Sequence, residues 1–137
     1  MAKARRLKPQ EIEEIFRRFY EIEPEPKGEL KSVNDFTFLV AVVLSAQATD
    51  VGVNRATAAL FKIVDTPEKM LALGEDGLRD YIKSVGLYRA KAKNVIALSK
   101  ILVEKYASKV PGEREALEAL PGVGRNTANV VLNVIFG

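Results

Sequence analysis

The sequence predicts an all-α fold, a compact bundle of short helices, and three observations carry that expectation. Apolar residues recur at helical spacing along most of the chain, and no stretch alternates as a half-buried strand would. Asn, Thr, Pro and Gly fall where helices start and stop. The chain has 137 residues, 47% hydrophobic and 28% charged, which suits one folded domain with a real core.

Ile12, Ile15, Phe16, Phe19 and Ile22 form an amphipathic stripe, with Pro9 placed in its first turn. The string Glu23-Pro24-Glu25-Pro26-Lys27-Gly28 breaks that helix and reads as a linker. Residues 1–27 are therefore expected to be a basic tail plus a separate amphipathic helix, and residues 28–137 a helical domain. Asn34 can cap a helix through Phe36–Leu44 that is apolar nearly all round, hence central. Thr49 or Asp50 can cap the next, to about Val64. Thr66-Pro67 opens a short helix that Gly74 stops, and residues 75–85 make another, ended by Gly86. A long helix follows from about Tyr88 to Tyr106, until Pro111-Gly112 breaks it. Two last helices, Glu113–Leu120 and Arg125–Phe136, flank Pro121-Gly122-Val123-Gly124.

Two zeros narrow the chemistry: the chain has no cysteine and no histidine. Disulfides, thiolate-bound metals and thiol nucleophiles need the first, and serine–histidine triads and most catalytic zinc sites the second. The start, MAKARRLKPQEIEE, lacks the apolar segment of a signal peptide. The apolar run from Phe36 to Ala46 is too short to span a bilayer. A soluble, cytoplasmic chain without a membrane partner is expected.

Twenty-one basic and eighteen acidic residues leave a net charge of +3, and their distribution is uneven. Residues 1–8 carry Lys3, Arg5, Arg6 and Lys8, a net of +4. Residues 9–29 set seven Glu against Arg17, Arg18 and Lys27, a net of −4. Residues 79–109 hold eight bases against Asp80 and Glu104, a net of +6. Such a zone could follow a phosphate backbone or be a solvated helix face, and charge alone does not decide.

The joint Leu120-Pro121-Gly122-Val123-Gly124 says more. Pro121 restricts the chain, while Gly122 and Gly124 allow a tight turn and close approach. The turn feeds a helix N-terminus, whose first amides lack partners and suit a phosphate. Residues 116–132, AlaLeuGluAlaLeu-ProGlyValGly-ArgAsnThrAlaAsnValValLeu, resemble the helix–hairpin–helix of base-excision DNA glycosylases, in particular the endonuclease III branch. LeuSerAlaGlnAlaThrAsp at 44–50 and TyrIleLysSerValGlyLeuTyrArgAlaLysAla at 81–92 agree with that branch in order and spacing. The resemblance covers about residues 30–137 and puts the helix–hairpin–helix at about 113–136.

The resemblance implies a protein that binds duplex DNA, damaged or abasic, and extrudes the damaged nucleotide. Gln47 would enter the stack and pair with the orphaned base, and Leu87 would wedge from the other side. The competing readings are a helix-end hydrogen bond for Gln47 and an apolar contact at the Gly86 helix stop for Leu87. Gly122, Val123, Gly124 and Arg125 would hold a backbone phosphate. Arg89, Lys91 and Lys93 would add backbone contacts. No side chain suggests a metal site, though a monovalent cation shared with carbonyls of Gly122 and Gly124 fits the family. The parent activity would be excision of oxidised pyrimidines and cleavage at abasic sites.

The sequence departs from the family at the catalytic position. The second residue after the hairpin is a lysine in that branch, where its amine forms a Schiff base with the sugar; here it is Asn126. A carboxamide supplies no amine, so lyase chemistry there is expected to be absent. Neither Lys91 nor Lys93 is a warranted substitute. The family's catalytic aspartate and its four [4Fe–4S]-ligating cysteines match no residue here, so no cofactor is expected in this chain. These departures suggest part of a longer glycosylase. The stripe Ile12, Ile15, Phe16, Phe19 and Ile22 would then lack cover, at ~1.5–3 kcal/mol per buried side chain, and favour self-association or a missing C-terminal segment as partner. A non-enzymatic helix–hairpin–helix module, or a glycosylase without lyase activity, are the alternatives.

Overall fold

The structure is a computed structural model that describes residues 29–137. The basic tail, the amphipathic stripe from Ile12 to Ile22 and the Pro-rich linker lie outside the described residues.

Among the described residues six α-helices follow in order: α1 (Asp35–Ser45), α2 (Asp50–Ile63), α3 (Pro67–Ile82), α4 (Tyr88–Lys105), α5 (Arg114–Glu118) and α6 (Arg125–Val131). A π-helical turn, Leu132–Phe136, continues α6, so the expected single helix from Arg125 changes its winding after Val131. No strand occurs among the described residues, and the bundle is all-α as the apolar spacing predicts.

α1 is the central helix because it is apolar on every side: Phe36, Thr37 and Leu39 through Leu44 are all buried. Its start is held by the capping box the sequence offers. The Asn34 Oδ1 accepts from the Thr37 amide at 2.9 Å, and the Thr37 Oγ1 accepts from the Asn34 amide at 3.0 Å. The Asn34 side-chain Nδ2 also donates to the Asp65 carbonyl at 2.7 Å, tying α1 to the α2–α3 loop. Thr49, not Asp50, caps α2 by accepting from the Gly52 amide at 3.0 Å. Thr66 caps α3, with Pro67 in its first turn.

Gly74 breaks α3 at φ 82° and ψ 168°, so the helix is two pieces meeting at a kink, as expected for residues 67–73 and 75 onward. The second piece stops at Ile82. Gly86 is not its left-handed stop: the residue with positive φ is Leu87, at 60°. α3 lies along α4, and α1 touches α2, α4 and α6. Leu39, Leu44, Leu60, Met70, Leu78, Ile82, Leu98, Leu102 and Leu117 are fully buried between them. Thr57 and Ser99, the buried hydroxyls of α2 and α4, donate to the carbonyls of Val53 and Val95 at 2.9 and 2.7 Å. With the Thr37 hydroxyl spent at the start of α1, each buried hydroxyl among the described residues has a partner.

Candidate nucleic-acid interface

Three loops of this bundle each hold one left-handed residue: Gln47 in Ala46–Thr49 after α1, Leu87 in Lys83–Leu87 before α4, and Gly122 in Leu120–Gly124 between α5 and α6. In the third, Leu120 donates to the Leu117 carbonyl and Val123 to that of Leu120, at 3.0 and 3.1 Å. Gly122 stands at φ 82°, and a Cβ there would meet the Asn94 Cβ at 2.9 Å. The hairpin is therefore seated against α4, and only glycine fits at its tip. Gly124 differs: its φ is −93° and a Cβ would meet nothing within 4 Å. No close contact within the described structure excludes a side chain there.

Gly124 opens α6 without a side-chain cap. The first amides of α6 are consequently left to an external acceptor. Arg125 and Asn126 are both exposed beside them. Val123 is placed otherwise than expected of a phosphate ligand. Its side chain is buried and its amide is committed to Leu120, so its part is to hold the turn.

Gln47 and Leu87 share one conformation. Both are exposed and both are left-handed, at φ 58° and 60°. A non-glycine residue in that region costs about 1–2 kcal/mol. Leu87 is 63% exposed, so the competing reading, an apolar contact closing a helix stop, does not describe it. The end of α1 is closed by backbone bonds from Ala46 to Val43 and Ala48 to Ser45, at 3.4 and 3.0 Å, and not by the Gln47 amide.

The three basic residues expected on the surface of α4 separate. Arg89 is exposed, with its guanidinium 4.9 Å from the centre of the Tyr88 ring, and Lys93 is exposed one turn on. Lys91 is not on the surface. It is only 6% exposed, and its Nζ donates to the carbonyls of Leu44 at 2.9 Å and Ala46 at 2.6 Å. Burial pushes its pKa below the usual lysine value. The expectation of a backbone-phosphate contact from Lys91 is corrected, because an ammonium spent on two internal carbonyls has no reach to DNA. A signal for this was present: Lys91 stands in line with Val95, Leu98 and Leu102, at i+4, i+7 and i+11, on the buried face of α4. Asn94, the seat of the hairpin, carried no comparable sign.

A family described as "HhH-GPD superfamily base excision DNA repair protein" matches residues 40–135, which include all three loops. The chain belongs to this superfamily. Endonuclease III of Rickettsia conorii is 59% identical over 131 residues, covering 96% of this chain and 62% of that protein. Endonuclease III of Escherichia coli K12 is 53% identical over all 137 residues, again 62% of its own length. A trapped endonuclease III–DNA covalent intermediate, an estranged-adenine complex, has the same fold with a TM-score of 0.78 at 44% identity, covering 96% of this chain and 62% of that one. The chain thus spans less than two thirds of the length of the relatives it matches.

An iron–sulfur cluster of the kind the branch carries needs thiolate ligands. With no cysteine among 137 residues, no side chain of this chain fits one. Among the described residues no group of His, Cys, Asp and Glu converges on a metal, and no helix is long and apolar enough to cross a membrane.

Proposed function

We propose that this chain is the DNA-gripping part of an endonuclease III-like repair activity directed at oxidised pyrimidines and abasic sites in duplex DNA. Gln47 and Leu87 fill the stack that an extruded nucleotide leaves. The observation that carries the proposal is their shared state: two exposed, left-handed side chains on separate loops of a base-excision fold. Each takes on the cost of its backbone with its side chain exposed. An amide that can donate and accept, opposite a compact apolar wedge, suits an orphaned base and a gap beside it. The likeness to proteins named endonuclease III, and to one such protein joined to DNA, supports the choice of substrate.

The hairpin at Gly122 and Gly124, with Arg125, holds a backbone phosphate, and carbonyls of the two glycines share a monovalent cation. Arg89 and Lys93 add contacts to neighbouring phosphates. Asn126 stands where the branch has its Schiff-base lysine, so the chain binds without forming a covalent sugar adduct. Binding to an abasic-analogue duplex and to the same duplex undamaged, followed by fluorescence anisotropy at low salt, tests this reading. The abasic duplex is expected to bind tighter, with no borohydride-trapped adduct on a true abasic site. Equal affinity for both duplexes would sink the gap-filling roles, and a trapped adduct would sink the assignment of Asn126.

A further inference from the structure

We propose that Lys91 is the positioning residue that holds the two gap-filling loops in register, so that Gln47 and Leu87 meet one vacated stack. The inference rests on the function proposed above and adds to it a residue that touches no DNA. Lys91 reaches both loops. Its backbone amide donates to the Leu87 carbonyl at 3.0 Å, in the first turn of α4. Its ammonium crosses to the end of α1, at 2.9 Å from the Leu44 carbonyl and 2.6 Å from that of Ala46. Ala46 directly precedes Gln47. A single residue therefore links the peptide that carries the wedge to the peptide that precedes the pairing amide.

The chemistry favours positioning over plain stability. Among the described residues no carboxylate pairs with the Lys91 ammonium, since the ion pairs there are Lys69–Asp65, Arg79–Glu75 and Arg79–Asp76. A buried charge answered only by carbonyls is costly, and an apolar side chain would fill the same space more cheaply. What the apolar side chain would not supply is two directional bonds to carbonyls that flank Ser45, at the point where α1 turns into the left-handed loop. A positive group there also meets the negative end of the α1 dipole, and α1 has no basic residue of its own in its last turn.

The test uses the full chain and the pair of duplexes above. Lys91→Met keeps the aliphatic stem and removes the donors. Lys91→Gln, whose amide is too short to bridge, is carried alongside in case the first variant does not fold. Lys91→Arg retains multiple donors. The preference of the wild type for the abasic duplex is expected to fall at least fivefold in Lys91→Met and Lys91→Gln, with affinity for undamaged duplex changed less than twofold. Lys91→Arg should restore most of the preference. A Lys91→Met/Gln47→Ala double variant should lose no more preference than Gln47→Ala alone, because the lysine acts through the loop. A preference unchanged in the folded variants, or an equal loss on both duplexes, would overturn the inference while leaving the gap-filling reading intact. A wild type without any preference removes the gap-filling reading, and Lys91 then has no register to hold.

Discussion

Gly122 and Gly124 lie two residues apart in one turn, yet the structure asks different things of them. Gly122 needs its φ of 82° and the absence of a Cβ, since a methyl would stand 2.9 Å from the Asn94 Cβ. Gly122→Ala should cost about 1–3 kcal/mol in urea unfolding and weaken binding to every duplex, because the turn itself moves. Gly124→Ala meets nothing within 4 Å at an ordinary φ. Its stability should stay within about 0.5 kcal/mol of wild type. Its DNA affinity should still drop roughly fivefold, because the methyl occupies the path of a phosphate. Equal stability losses in the two variants would contradict this division. Positive φ alone does not mark function: Ala107 and Ser108 are left-handed too. There the chain is repaid internally, by the Ser108 amide donating to the Leu102 carbonyl at 2.8 Å and by the Ser108 hydroxyl bonding Glu68. That second bond, the largest cause, holds the Glu68 carboxyl below the usual carboxylate range. Gln47 and Leu87 instead hold their side chains exposed, Leu87 at 63%.

At the scale of elements, the helix starts were written plainly and the joints were not. Asn34 and Thr66 cap the helices expected of them, and of the two candidates Thr49 and Asp50 it is Thr49 that caps α2, because a short polar side chain before an apolar run has few better uses. Asn34 does most, accepting from the Thr37 amide and donating to the Asp65 carbonyl at once. Asn34→Ala should therefore cost about 2 kcal/mol, the upper part of the range for a lost cap, readable as a lower midpoint in urea with an unchanged slope. A change below about 0.5 kcal/mol would mean the loop to Asp65 is held by other contacts. Two differences between expectation and structure fall where the chain departs from regular spacing. Leu87 rather than Gly86 takes the left-handed turn, since glycine permits positive φ but does not compel it. The final helix rewinds after Val131, and periodicity does not separate α from π winding over five residues. A third lies inside a regular helix: charge argues for the surface at Lys91, but its position in the α4 repeat is interior.

For the whole molecule, folding sorts a basic zone that looked uniform along the chain. Of its eight bases, Arg79 is paired with Glu75 and Asp76, and Lys91 is buried. Lys83, Arg89, Lys93, Lys100, Lys105 and Lys109 remain exposed. At about 100° per residue, Arg89, Lys93 and Lys100 fall within about 40° of one another round α4, a stripe of roughly 16 Å that begins beside Leu87. Lys105 lies about 160° away from Arg89 by the same count. A duplex seated on Leu87 can follow that stripe and leave Lys105 in solvent. The affinity of the undamaged duplex should fall with salt along a log–log line whose slope counts the phosphates neutralised, about 0.9 for each. Lys93→Ala should flatten that slope by about one contact, and Lys105→Ala should leave it unchanged within error. If both substitutions flattened it equally, the attraction would come from the general positive field of the molecule. The stripe on α4 would then be no more than a solvated helix face.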